Sequence, residues 1–113
     1  MTDNDPIVTN PEHYKLLWEN DFVRVIEYTD EPGERTTPHD HPNSVMVTLS
    51  AFQRRLSAGG REFETALPSG AVVWLPAQRH SGENIGESAT HTVLIELKGD
   101  AAGSLSETAL GPQ

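Results

Sequence analysis

Apolar and polar residues alternate at every second position along several short runs of this chain. From Val45 to Ser50, Val45, Val47 and Leu49 share one face, and Met46, Thr48 and Ser50 share the other. From His91 to Leu97, the residues His91, Val93, Ile95 and Leu97 again fall on one side. A period of two marks a half-buried strand. Tyr14 to Glu19 and Phe22 to Thr29 are rich in β-formers and are split by the turn pair Asn20-Asp21. Phe52 to Ser57 and Arg61 to Leu67 flank Ala58-Gly59-Gly60, the pattern of a hairpin. Ala71 to Leu75 is a short apolar run closed by Pro76. Glu31-Pro32-Gly33-Glu34 and Leu67-Pro68-Ser69-Gly70 supply further turns, with Pro presetting φ and Gly taking a positive one. No internal repeat, heptad or long helical pattern is present. The reading is an all-β sandwich or barrel of roughly eight or nine short strands, with closure protecting the edges. The expected organisation is a flexible N-terminal arm at 1–12, a barrel at 13–98 and a flexible tail at 99–113, with at most a short helix near Ser104 to Leu110.

Composition narrows the classes. A chain of 113 residues makes one domain. Its net charge of -9 argues against a nucleic-acid partner. No apolar run is long enough to span a membrane, and Met1-Thr2-Asp3-Asn4-Asp5-Pro6 does not resemble a secretory leader. Cys is absent, which excludes disulfides and thiolate chemistry and suits a cytoplasmic location. Ser44, Ser57 and Ser81 have no triad context, so nucleophilic hydrolysis is unsupported.

The chemistry lies in the histidines. His39-Asp40-His41 puts two imidazoles on one face of a strand. Turned inward, they would be costly to desolvate and would repel if both were charged. A shared metal relieves both problems because it binds the neutral forms. His80, on a second strand framed by Gly and Pro, supplies a third nitrogen.

Gly33-Glu34-Arg35-Thr36-Thr37-Pro38-His39-Asp40-His41 resembles the first half of the first cupin motif. Gly70-Ala71-Val72-Val73-Trp74-Leu75-Pro76, with His80 and Asn84 beyond it, resembles the second. Pro11 to Lys15, Glu19-Asn20 and Val23-Arg24-Val25 also resemble a widespread group of bacterial monocupins. The resemblance implies a cupin-type jelly-roll β-barrel, often a homodimer. It also implies one divalent metal ion in the barrel, held by the motif histidines His39, His41 and His80.

Three positions depart from the pattern. The Glu of the first motif falls on Val45 or Met46, the later Gly is absent near Ala51-Phe52, and the Gly after Pro-x is Gln78. If the strand runs unbroken from His39, then Val45 and Val47 face inward and Val45 occupies the carboxylate slot. Asp40 and Glu83 point outward, and Asn84 shares the parity of His80. Three neutral nitrogens and no carboxylate would leave the ion's double positive charge uncompensated, attracting a small anionic molecule. Imidazole suits iron, zinc, nickel, manganese or copper alike.

The pocket candidates are Val45, Val47, Arg54, Asn84 and His91. His91 could be an acid/base, a fourth ligand or a rim residue. Arg54 could clamp a substrate carboxylate or merely be solvated. Trp74 suits the core or a dimer interface. The functional reading is a metal-binding enzyme of dioxygenase-like or Lewis-acid isomerase, lyase or cyclase type. Two alternatives stand beside it: a non-catalytic binding or sensing module with a degenerate or empty site, and a metal-independent cupin enzyme.

Overall fold

The computed structural model of the chain describes residues 3–113, leaving Met1 and Thr2 of the expected arm outside the described residues. A short helix α1 (Pro6–Thr9) precedes nine strands: β1 (Tyr14–Glu19), β2 (Val23–Asp30), β3 (His39–His41), β4 (Ser44–Thr48), β5 (Phe52–Ala58), β6 (Arg61–Leu67), β7 (Val72–Leu75), β8 (Gln78–Asn84) and β9 (Thr90–Leu97). They form two antiparallel sheets, ordered β1-β2-β9-β4-β7 and β3-β8-β5-β6. The architecture is all-β, two antiparallel sheets packed face to face, in keeping with the expected jelly roll. The core lies between the sheets, where Tyr14, Ile26, Tyr28, Leu75 and Leu94 pack together with Ile7 and Met46 against them. Gly33 takes the positive φ of 87° that its turn requires.

Strand phase is corrected in two places. Between His41 and Ser44 the chain leaves the four-stranded sheet and enters the five-stranded one. Pro42, with no N–H, ends one ladder. Asn43 anchors the crossing, accepting from Ala77 N (2.8 Å) and donating to Ala101 O (3.2 Å) through its side chain. The odd step resets the parity, so Ser44, Met46 and Thr48 turn inward and Val45 and Val47 turn outward. In β9 the inward residues are Thr90, Thr92, Leu94 and Glu96, all buried. His91, Val93, Ile95 and Leu97 lie on the outer face.

That outer face is itself apolar. Cross-strand pairing sets Trp18 beside Val25, Val25 beside Ile95, Ile95 beside Val45 and Val45 beside Trp74. The row crosses all five strands, and the tryptophans at its ends are 54% and 37% exposed.

Segments near both ends of the described chain make specific contacts with the sheets. Asp5 caps α1 by accepting from Ile7 N (2.9 Å), and its carboxylate also meets Arg24 Nη1 at 2.6 Å. Pro6 fits the first helical position. Within the expected arm at 1–12, Pro6–Thr9 thus forms a capped helical turn that is tied to β2 through Asp5 and Arg24. Past β9 a 3-10 turn spans Gly99–Ala102. No helix forms at Ser104 to Leu110; the chain runs extended with bends and bonds back to β7 and the β7–β8 connection. Ser106 N donates to Ala77 O (3.0 Å) and Gln113 N to Trp74 O (2.8 Å).

Candidate metal centre

Strands β3 and β8 run antiparallel with His39 directly opposite His80 and His41 opposite Gln78. One strand thus supplies two imidazoles and its neighbour supplies the third. All three are buried. Their ring centroids lie 4.8, 4.9 and 5.0 Å apart, and one ligand nitrogen from each falls within 4.8 Å of the others.

The other ring nitrogens decide what this triangle can do. His39 Nδ1 faces Thr37 O at 2.8 Å, His41 Nδ1 faces Glu96 Oε2 at 3.1 Å, and His80 Nδ1 faces Gln78 Oε1 at 2.7 Å. A carbonyl, a carboxylate and an amide oxygen only accept here, so each Nδ1 carries the proton and donates. Each Nε2 then offers its lone pair. The phenol of Tyr14 sits 3.2 Å from His39 Nε2 and 3.3 Å from His41 Nε2, marking the point on which those two lone pairs converge. Burial first, and then the neighbouring His41, lowers the pKa of His39 to about 3. Burial, followed by His41 and His39, also holds His80 well below the usual imidazole range. Two imidazoles held neutral by burial, His39 and His80, and a third, His41, backed by Glu96, are each oriented by an acceptor behind the ring, a donor set that suits a divalent first-row ion.

Each acceptor is fixed by a different part of the chain. Asn10, just after α1, brackets Thr37: its Nδ2 donates to Thr37 O (3.2 Å) and its Oδ1 accepts from Thr37 N (2.9 Å). Glu96 takes a hydrogen bond from Arg24 Nε (2.9 Å), and Arg24 reaches on to Asp5. The buried Glu96 carboxylate is thereby compensated, which makes its burial affordable. Gln78, in the place of the motif glycine, is the acceptor for His80.

A cavity of about 50 Å³ adjoins the triad, walled by Tyr14, Tyr28, Met46, Arg54, Leu94 and Pro112 among others. It has room for a few water-sized groups. Arg54 is buried and faces this cavity, yet its guanidinium is already engaged. Nη1 donates to Asp30 and to Thr90 Oγ1 (3.2 Å), and the group lies 4.9 Å from the centre of the Tyr28 ring. Burial works against the Asp30 carboxylate. The charge of Arg54 and hydrogen bonds from Tyr28, Arg54 and Asn84 outweigh it and keep Asp30 below the usual carboxylate range.

The remaining pocket candidates lie elsewhere. Asn84 is buried but donates to Asp30 Oδ1 (3.0 Å) and Ser88 O (2.9 Å), bracing the β8–β9 connection outside the cavity wall. Val45 and Val47 are on the outer face of β4, and Met46 lines the cavity instead. His91 is also outside, with Nε2 2.7 Å from Glu27 Oε2. The sequence reading missed Tyr14, Glu96, Met46 and the side-chain role of Gln78. For Met46 the signal was Pro42; for Glu96 it was an acid inside an otherwise apolar strand.

No family model matches the chain, and no curated protein matches it. Solved structures do. The chain is similar to a cupin domain from Bordetella pertussis Tohama I, with TM-score 0.70 and 24% identity over 76% of this chain and 92% of that one. It is similar to a conserved protein with a double-stranded β-helix domain from Klebsiella pneumoniae, with TM-score 0.61 and 23% identity over 83% of each chain. A Cupin 2 conserved barrel domain protein from Salinispora arenicola gives TM-score 0.56 at 16% identity over 79% of this chain and 77% of that one. At these identities the likeness is one of fold: this is a small, single-domain chain with the cupin fold.

Proposed function

We propose that the chain binds one divalent first-row metal ion through His39, His41 and His80 and acts on a small anionic molecule. The observation that carries the reading is the shared orientation of the imidazoles, each Nδ1 spent on an acceptor and each Nε2 left for ligation. Bound there, an ion supplies Lewis-acid polarisation or oxygen activation. The protein's part is to hold and exclude. Thr37, Glu96 and Gln78 fix the rings, and the apolar wall of Met46 and Leu94 limits water. The Tyr14 hydroxyl can donate a hydrogen bond to an oxygen of the bound molecule. With no carboxylate among the ligands, the site keeps a positive potential that favours an anion.

A second reading, a non-catalytic binding or sensing module, is favoured by one contact. The Tyr14 hydroxyl lies within hydrogen-bond distance of two Nε2 atoms, and its single proton can occupy one of those lone pairs without an ion. The two readings separate by metal content of protein prepared without added metal, together with oxygen uptake in the presence of β-dicarbonyl or amino-thiol compounds. Metal with turnover supports the enzyme, and a metal-free protein that binds a ligand supports the module.

The working unit we propose is a homodimer joined through the outer face of the five-stranded sheet. The occupant that suits this face is a second copy. For a chain of net charge -9, self-association is opposed by repulsion, and a row of apolar residues from Trp18 to Trp74 brings no charge to the contact.

A further inference from the structure

The segment after β9 returns to the candidate site. Pro112 forms part of the cavity wall, and Gly111 precedes it. Gly111 N donates to Gln78 Oε1 at 2.7 Å, the same oxygen that accepts from His80 Nδ1 at 2.7 Å. Gln78 Nε2 answers by donating to Gly111 O (3.2 Å) and Pro76 O (2.9 Å). One fully buried amide therefore holds both the segment and the imidazole. Further along, Arg61 donates to Thr108 O and Glu107 O, each at 3.0 Å, pinning the approach to the mouth. Outside lies an open depression of about 660 Å³ that shares His80 with the cavity and is bordered by Ser106 and Glu107. The segment thus stands between the inner cavity and open solvent.

We infer that Gly111 and Pro112 are specificity-determining residues that limit the size of ligand reaching the triad, and that Gln78 is a positioning residue linking this closure to the ligating orientation of His80. The inference rests on the metal reading above. Gly111 is where the design is tightest. Its φ is +83°, and a Cβ there would lie 2.7 Å from Phe63 Cδ2 and 3.2 Å from Leu56 Cδ1. A side chain at this position would be strained and crowded, so Gly111→Ala should lift the segment without shortening the chain.

The test uses cobalt(II) as the probe ion. Wild type, Gly111→Ala and a variant ending at Leu110 are loaded with cobalt and their visible spectra recorded. Release to EDTA is then timed, and azide or imidazole is added to each. The wild type should show a spectral change with azide and none with imidazole, which is too large for the closed cavity. Both variants should respond to imidazole and release cobalt about tenfold faster or more, while keeping the far-UV circular dichroism of the wild type. Gln78→Ala should also speed release, and Gln78→Glu, which keeps the acceptor for His80 but sets an oxygen against Gly111 O and Pro76 O, should loosen the segment and admit imidazole. If all proteins release cobalt alike and exclude imidazole alike, the inference is overturned and the metal reading stands. A wild type that takes up no cobalt overturns both.

Discussion

His41 Nδ1 lies 3.1 Å from Glu96 Oε2, and this contact supplies a carboxylate one bond behind the candidate ligands. The first-motif Glu is missing from β4, and an acid from β9 sits against the back of an imidazole instead. It does not lower the charge at the ion directly. It makes His41 a stronger donor and holds its ring in place.

Replacing Glu96 with Gln should test that role. The amide can still accept from His41, but its NH₂ would meet Arg24, a donor facing a donor. Metal affinity should fall by about 10- to 100-fold. The metal-free protein should also lose about 1–3 kcal/mol, because Arg24 would keep only Asp5 as a partner and face an amide donor. Metal titration followed by calorimetry and denaturant unfolding of the metal-free form read the two effects separately.

Met46 and Val45 can be set against each other. Met46→Glu should place an acid in the cavity beside the triad. Without metal it should destabilise the protein, since an ionised Glu there is buried among apolar groups. With metal it should recover, by mass action on the native state. Val45→Glu, on the outer face, should leave the metal-induced shift in melting temperature unchanged. Thermal melts of both variants with and without divalent ion decide the matter. A larger metal-induced shift in Val45→Glu than in Met46→Glu would restore the unbroken-strand parity.

The same Val45→Glu substitution bears on assembly. It places a charge at the centre of the row from Trp18 to Trp74. The wild type should sediment as a dimer and Val45→Glu as a monomer of 12.4 kDa. A wild type that remains monomeric at high concentration removes the dimer.

Acid should weaken the metal-free protein over a definite window. In the unfolded chain a histidine titrates near 6.5. In the folded protein burial, and then repulsion from His41, lowers His39 to about 3, and His80 is depressed in the same direction. Between these values the unfolded chain binds more protons than the native one. Stability is therefore complete above about pH 6.5 and declines below it, by about 1.4 kcal/mol per pH unit for each such histidine. Urea unfolding of chelator-treated protein at pH 7.5 and 5.0 reads the slope before the carboxylates protonate. Equal stability at the two values would mean that the imidazoles are not buried as neutral groups.

Much of this architecture was legible in the sequence, and the failures have identifiable causes. The strands, the turns at Gly33 and Gly59-Gly60, and the three histidines follow from period-two patterning and from glycines that accept positive φ. Parity failed where it was extended too far. Carrying the phase of His39 and His41 across Pro42 sent Val45 to the wrong side, although Pro is where a ladder ends. In β9 the apolar set His91, Val93, Ile95 and Leu97 suggested an inner face, but both faces of that sheet carry apolar residues. Apolarity alone could not choose, and Glu96 was hidden by it. Near the ends, the contacts that tie the chain to the sheets combine polar pairs, Asp5 with Arg24 and Gln78 with Gly111, with the buried Pro6 and the packing of Ile7. Composition does not register such contacts.

The central claim is that His39, His41 and His80 together hold a metal ion, and the most direct measurement is the metal stoichiometry of wild type and His41→Ala. Each is stripped with chelator, titrated with cobalt(II) or zinc, desalted and analysed for metal per chain. The wild type should retain one ion per chain, and His41→Ala, lacking one of the three converging Nε2 atoms, should retain essentially none. Equal metal in the two proteins, or none in the wild type, would contradict the account.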